Sequence, residues 1–582
     1  MSRAVMWDLS KLLPSLEASP VDAAVKAVEG KVQELEAWRS KLDTLQDPMD
    51  LERLFDLEAD LDEAMQRLSS RGSLAFASDT GDEASSAFLA RMENLEAEFD
   101  NRTRFLGLWW KALPEERARA LMPRAPDLAH YARRLREFAP HTLSEAEERV
   151  ASLKDVTGAS ALDKAREILT SRILYASPLT GKEVTQSELV RGVYHHDPRI
   201  REATYGELWR VWSKEEALLS HLYQTVVNDW WNEQVTLRKY PDAQAPRDLY
   251  NDVPSDAVRT LLDVSRKNRG LFQRYFLWKG KRLGLAKMSR YHVYAPLSEQ
   301  DAGKWPYDAA ADEVLASFEQ FDPPVARLAS RVFDEDHVDV LPRPRKRGGA
   351  FCATVNSRMT PFLFLNHTGD KQSLKTLAHE MGHAVHSMLA EGHHPNVAHS
   401  GLPLAETASV FSEMLMHDRL VARATPAERE AIVSDKVGEI YATVMRQAYF
   451  ARFEIDAHKA IREGATTQDV HRLYLENVRE QFGPVEVPEE FRYEWTYIPH
   501  FYASPFYVYA YSFGMLLSLA LYDMYRAEGK AFVPKYKRVL AAGGSESPEP
   551  LLRRELGVEI RDAAFWQRGF SVVEGMVKEL GT

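Results

Sequence analysis

Two histidines four residues apart, with a glutamate directly after the first, are the residues best spaced for chemistry in this chain. His379-Glu380-Met381-Gly382-His383 lies inside the apolar stretch Thr376-Leu377-Ala378 to Ala384-Val385. On an α-helix, residues four apart are one turn up and only about 40° round from each other. Both imidazoles can therefore aim a nitrogen at one ion, a geometry suited to zinc. Glu380 is rotated about 100° from His379. It borders such an ion without being its natural ligand, the position of a carboxylate that takes a proton from an activated water. A structural zinc site is closed by four protein ligands, whereas a catalytic one has three and keeps a place for water. A third ligand is expected downstream.

The extended histidine pattern needs a glycine three residues after His383 and another histidine three beyond that. This chain has His386 and Leu389 there. The better source is Leu402-Pro403-Leu404-Ala405-Glu406-Thr407-Ala408-Ser409-Val410-Phe411-Ser412-Glu413. Pro403 can start a helix, and Glu406 and Glu413, seven apart, share one face about two turns apart. Two carboxylates on an otherwise apolar and small-residue helix are costly to bury unless something positive pairs with them. Glu406 is read as the third zinc ligand, and Glu413 as an acceptor that orients a ligand histidine. His386 lies roughly 10 Å further along the axis than His379, too far to share an ion whose bonds to nitrogen are about 2.0–2.1 Å. It is read as a hydrogen-bonded pocket histidine. His393, His394 and His399 fall in a Gly/Pro-containing loop, 391–401, and are read as loop residues.

A second constellation runs from Trp495 to Tyr511, with five tyrosines, one histidine and two prolines. Hydrolysing an amide puts negative charge on the carbonyl oxygen, and neutral His and Tyr can donate to it. His500 is the candidate donor, together with one of the tyrosines. From Thr496 to Tyr522 there is no charge other than a possible one on His500, a length that raises the question of a membrane span. Two prolines, the tyrosines and the lack of a flanking Lys/Arg cluster favour a buried loop and helix instead.

Taken in order, these pieces resemble oligoendopeptidase F, in the family of zinc metallopeptidases that includes thimet oligopeptidase. The matching stretches are Trp7-Asp8-Leu9-Ser10, Tyr294-Ala295-Pro296-Leu297, Gly349-Ala350-Phe351-Cys352, Pro361 to Asn366, Thr376 to His386, Leu404 to Ser409, and Ile498-Pro499-His500-Phe501-Tyr502. The resemblance implies one Zn2+ per chain on His379, His383 and Glu406, and Glu380 as general base. It also implies His500 and a tyrosine beyond it as donors to the transition state. Thimet oligopeptidase has a glycine-rich loop between that histidine and the tyrosines, and this chain lacks those glycines. Tyr507 and Tyr509, nearest the start of the helix after Pro505, are the favoured pair. The resemblance further implies a mainly α, two-lobed helical clamshell with a deep channel that admits short unstructured peptides, and a small β-sheet near the zinc-binding helix. Endopeptidase cleavage is the expected activity. A carboxypeptidase or dipeptidyl carboxypeptidase with the same site, and a non-catalytic helical scaffold, are the alternatives.

The remaining sequence fits a large soluble enzyme. At 582 residues the chain exceeds what one core usually reaches, so two or more lobes are expected. We divide it into an N-terminal helical lobe, 1–195, and a catalytic domain, 196–582. A net charge of −12 argues against nucleic acid or an anionic membrane as partner; the oligomeric state is not legible. The single cysteine, Cys352, allows no internal disulfide and suits a reducing compartment. No apolar leader follows Met1, so a cytoplasmic location is expected. Apolar residues at three- and four-residue spacing over 21–68, 83–110, 144–153 and 162–175 predict amphipathic helices, and another is expected from Pro198. The aromatic segment 205–231 reads as core. Ala350 to Val355 and Pro361 to Leu365 are the strand candidates, one of them a possible sheet edge for substrate backbone. The basic run Arg343-Pro344-Arg345-Lys346-Arg347 before them reads as a solvated turn.

Overall fold

The computed structural model describes residues 3–297 and 304–581. Most of them are helical, with short strands. The amphipathic segments form helices at Ala18–Glu36, Pro48–Ser78, Glu83–Thr103, Glu145–Thr157, Ala159–Ser171 and Pro198–Trp230. Several starts are legible in chemical terms. Asp47 accepts from the Met49 N–H before Pro48 at the first helical turn, and Asp197 accepts from Arg199 N–H before Pro198, each covering an amide that has no partner within the helix. No helix of the described residues is long and apolar enough to cross a membrane.

The chain forms two compact units, each made of three separated segments: Met1–Thr142, Ala302–Arg419 and Met524–Val558 in one, Leu143–Asp301, Leu420–Asp523 and Glu559–Thr582 in the other. A single cut at 195/196 coincides with neither.

In the first unit, the N-terminal helices close on a core that includes Val32, Leu35, Leu54, Phe55, Met92 and Trp110, all fully buried. The same unit holds a three-stranded sheet. Besides the hairpin β1 (Tyr175–Ala176) with β2 (Glu183–Val184) of the second unit, the strands are β3 (Val338–Asp339), β4 (Phe351–Ala353) and β5 (Phe362–Phe364). Their order is β3-β5-β4, with β3 parallel and β4 antiparallel to β5. Trp7 packs on this sheet, 6.1 Å from the Phe362 ring and 5.7 Å from that of Phe364. The N-terminal Trp-Asp-Leu-Ser stretch thus belongs to the sheet's small core.

The basic run differs from a solvated turn. The Lys346 and Asp339 side chains are both fully buried and paired at 2.8 Å, and Arg343 grips both oxygens of Asp339 at 2.7 Å. Lys346 also donates to the Leu365 carbonyl at 2.5 Å and lies 4.6 Å from the Phe364 ring centroid. The run is a clamp that ties β3 to β5, because an ammonium on a long apolar stem can reach a buried acid from a surface turn.

In the second unit, Tyr205, Trp209, Trp212 and Tyr223 of the Pro198–Trp230 helix are buried, as core aromatics are expected to be. Tyr205 and Trp209 each lie 5.2 Å from Phe491, and Tyr223 lies 5.2 Å from Trp495. The apolar run ending at Tyr522 becomes a turn followed by the helix Tyr509–Glu528.

Removing one partner of a buried ion pair leaves the other charge uncompensated, at a cost of about 3–5 kcal/mol. Asp339→Ala should destabilise the first unit by that order, measured by chemical denaturation. The double replacement Asp339→Leu, Lys346→Met should recover most of the loss.

Candidate active site

His379 and His383 lie on the helix Lys371–Leu389, which starts with Asp370 accepting from the Ser373 N–H at 2.7 Å. Glu406 and Glu413 lie on the helix Leu402–Arg423. The structure brings the predicted ligand set together. His379 Nε2 and His383 Nε2 are 3.2 Å apart, and Glu406 Oε2 lies 3.5 Å from the first and 3.6 Å from the second. Three donors on a tetrahedral ion with bonds of about 2.0–2.1 Å stand roughly 3.3–3.4 Å from one another, so these residues fit zinc with little adjustment. This is the one cluster of three metal-ligating side chains among the described residues.

Neighbours orient two of these three side chains. His379 Nδ1 is held by Glu413 Oε1 at 2.5 Å, which leaves Nε2 to face Glu406 and His383. Ser409 Oγ donates to Glu406 Oε2 at 2.8 Å and to the Glu406 carbonyl at 3.0 Å, so one hydroxyl braces the carboxylate. Ser412 Oγ donates across to the Ala378 carbonyl at 2.8 Å and is buried.

Gly382 governs the approach of the two helices. A Cβ there would stand 2.6 Å from the Ala408 carbonyl oxygen and 2.6 Å from Ser409 Cα. Any side chain at 382 would push the Glu406 helix off the histidines. The C-terminal part of the unit backs this helix: Tyr536 Oη donates to the Thr407 carbonyl at 3.0 Å and the Tyr536 ring stacks 4.4 Å from Phe411. Sequence reasoning missed Gly382, Ser409 and Ser412. Glycine inside a helix costs about 1 kcal/mol relative to alanine, and that was the available signal for Gly382.

Glu380 is buried and lines a cavity of about 370 Å3 together with His379, His383, His386, His399 and Phe351 to Cys352 of β4. Burial, reinforced by Glu406 and Glu413 and opposed by His379, pushes its carboxyl up to about 7. Burial works against charge on His379, but Glu413, Glu406 and Glu380 outweigh it and hold the imidazole up to about 9. The same negative field would draw in a divalent cation. His386 is buried, and burial with His383 beside it pushes it down to about 4, as fits a neutral pocket histidine. His399 also lines the cavity. His393 Nδ1 lies 3.0 Å from Asp127 Oδ2 and His394 Nε2 3.1 Å from Asp56 Oδ1, so hydrogen bonds to carboxylates pin this loop. The strand next to the site, β4, is an edge strand.

The second unit carries the other predicted residues. His500 Nε2 lies 3.2 Å from Tyr511 Oη, and its ring stacks on Tyr507 with centroids 5.7 Å apart. Tyr507 and Tyr511 are 5.3 Å apart, edge to face. Tyr509 is not part of this group. It is 1% exposed, and its hydroxyl accepts from Asn251 Nδ2 at 2.9 Å. The turn decides this. Phe506 sits at φ +59°, rare for a side-chain-bearing residue, with its N–H held by buried Glu454 Oε1 at 2.7 Å. Arg247 Nε donates to the Pro505 carbonyl at 3.3 Å. That turn sends Tyr507 toward His500 and Tyr509 inward.

Overpacking a tight contact costs typically about 1–3 kcal/mol. Gly382→Ala should therefore lower the melting temperature and weaken zinc binding by at least about tenfold. Glu413→Gln should weaken zinc by about 10–100-fold with little effect on melting of the metal-free protein. Thermal unfolding and competitive zinc titration check both.

Comparison with known proteins places the chain in a family. The model for peptidase family M3 matches residues 193–572, and that for oligopeptidase F matches 109–173. Oligopeptidase PepF of Bacillus subtilis is 25% identical over 566 residues, covering 94% of this chain and 82% of its own. Group B oligopeptidase PepB of Streptococcus agalactiae is 27% identical over 542 residues, covering 90% and 88%. The fold is shared with the crystal structure of oligoendopeptidase-F from Enterococcus faecium (TM-score 0.72, 22% identity, 96% and 98% covered). It is also shared with a Chlamydophila abortus protein (TM-score 0.86, 22% identity, 100% and 98% covered). With the peptidase model matched over more than half its length, and an oligopeptidase F model preceding it, the chain belongs to peptidase family M3, among the oligoendopeptidase F enzymes, and is a metalloendopeptidase.

Proposed function

We propose that this chain is a zinc-dependent endopeptidase that hydrolyses internal bonds of short unstructured peptides, with one Zn2+ held by His379, His383 and Glu406. The observation that carries the reading is the convergence of three ligand atoms within 3.2–3.6 Å of one another, with a buried glutamate beside them on the same helix. A bound zinc ion supplies the positive charge that makes water acidic and polarises a carbonyl group. Glu380 takes the proton of the attacking water and later returns it to the leaving amine nitrogen. Its burial beside the three ligand atoms suits a group that must take and return a proton out of bulk water. Glu413 keeps His379 in the tautomer that presents Nε2. The outer edge of β4 pairs with the substrate backbone, which holds an extended peptide with little regard to its sequence.

His500 supplies a donor to the developing oxyanion, on the strength of the resemblance and of its cluster with tyrosines. Of the two tyrosines favoured from sequence, Tyr507 is supported by its stacking on His500, whereas Tyr509 is buried apart from that cluster, with its hydroxyl accepting from Asn251. The family match over 193–572 supports taking 196–582 as the catalytic region. One cysteine in 582 residues supports a cytoplasmic setting.

Glu380→Gln should keep one zinc per chain by elemental analysis and lose about 10²–10⁴-fold or more in kcat/KM. Glu406→Ala should lose metal and activity together. Mass spectrometry of products from peptides blocked at both ends should show chelator-sensitive internal cuts. Zinc-replete protein that releases residues only from free C-termini would overturn the endopeptidase assignment, and full activity in the Glu380 variant would overturn the mechanism.

A further inference from the structure

One peptide group in the second unit is gripped at both ends by ionisable side chains. The Pro505 carbonyl accepts from Arg247 Nε at 3.3 Å, and the N–H of the same peptide, on Phe506, donates to Glu454 Oε1 at 2.7 Å. A trans peptide points its C=O and N–H in opposite directions, so a cation holds one end of its dipole and an acid the other. Turning that plane over would lose both bonds together. The plane helps set φ at Phe506, which stands at +59°. Such a value is costly for a bulky side chain and persists only where the surroundings enforce it.

The two gripping residues come from distant parts of the chain, Arg247 from the helix Ala245–Tyr250 and Glu454 from the helix Arg446–Arg462. Stability gives little reason for Glu454. It is fully buried, and burial pushes its carboxyl up to about 8. Its other oxygen has no hydrogen-bond partner in the protein. An apolar residue of similar volume in such a place is often neutral or stabilising.

What the acid does hold is the turn that carries Tyr507. Backbone bonds run from there to the histidine: Tyr507 N–H donates to the Ser504 carbonyl at 3.1 Å, and Ser504 N–H to the His500 carbonyl at 2.9 Å. The Tyr507 ring lies 14° from the plane of the His500 ring with centroids 5.7 Å apart, and the Arg247 guanidinium stands 5.9 Å from the Tyr507 centroid. Phe506 is buried, its ring 4.5 Å from that of His458. We propose that Glu454 and Arg247 are positioning residues for peptide hydrolysis, fixing the Pro505–Phe506 peptide plane so that Tyr507 stands against His500. The proposal rests on the reading of His500 and Tyr507 as donors to the oxyanion, and both positioning residues act through Tyr507.

The experiment measures kcat, KM and melting temperature of the zinc-loaded protein on a peptide blocked at both ends, with a crystal structure of the Glu454→Met variant. Misplacing a donor costs about 10–100-fold. Glu454→Met should lose that factor in kcat, change KM by about twofold or less, and melt no lower than the parent. Its structure should show Tyr507 displaced from His500. Glu454→Gln, which keeps an acceptor for the Phe506 N–H, should recover kcat to within about fivefold of the parent. In a Tyr507→Phe background, Glu454→Met should cost only about twofold more, because both changes remove one effect. A parental kcat in Glu454→Met would overturn the proposal, as would Glu454→Gln being equally slow. A full additional loss in the Tyr507→Phe background would place the action elsewhere and overturn it too. If Glu454→Met does not fold, Arg247→Met decides by the same kcat criterion. Full activity in Tyr507→Phe alone would refute the donor reading, whereas Tyr507 still stacked on His500 in the Glu454→Met structure would refute the grip itself.

Discussion

The site depends on how closely two helices can approach. Glycine at 382 lets the backbone at Ala408 and Ser409 occupy the space where a Cβ would be, and only at that separation does Glu406 reach both histidines. The helix gives up about 1 kcal/mol of intrinsic propensity to have glycine there. What it gains is register. Ser412 fastens the contact at the Ala378 carbonyl, Ser409 fixes the carboxylate, and Glu413 turns His379. Three carboxylates around two imidazoles would repel one another if left alone. Without metal their mutual repulsion is relieved by charge on His379; a metal ion would take over that role as the imidazole gives up its proton. The ligand geometry and the electrostatics are therefore one arrangement, and the packing at Gly382 sets both.

Much of this was legible before any fold was known. The spacing of His379, Glu380 and His383 depends only on the helical repeat. Glu406 and Glu413 stand out because acids on an apolar helix need a partner. The strands Phe351–Ala353 and Phe362–Phe364 fall inside the apolar runs that signalled them, and the long helices follow their periodicity. What stayed hidden required a partner from elsewhere in the chain. A two-residue strand such as β3 has no periodicity to read. Lys346 looks like a surface residue until Asp339 is placed beside it. The choice between Tyr509 and Tyr511 hinges on a left-handed residue at Phe506, held by an acid more than fifty positions upstream, and no local pattern encodes it. The two units could not be read as consecutive blocks because each is assembled from three stretches.

The two units bury polar groups for different ends. Around the histidines, burial sharpens acid–base character where protons must move. Around Glu494, burial holds the Arg290 and Arg446 guanidinium groups in fixed positions. Low local dielectric strengthens both, since a charge removed from water interacts more strongly with whatever remains near it.

The segmented build of the first unit has a consequence in time. The helix that carries Glu406 is backed by Tyr536, and the backbone at Val397 to His399 packs against Gly543 and Gly544, with the Gly544 N–H bonded to the Val397 carbonyl. These supports come more than a hundred positions after Glu406 in the chain. A nascent chain that has already made both histidines and Glu406 still lacks the wall that holds them in register. The arrangement around Glu406 is therefore complete only after the Gly543–Gly544 segment has been made.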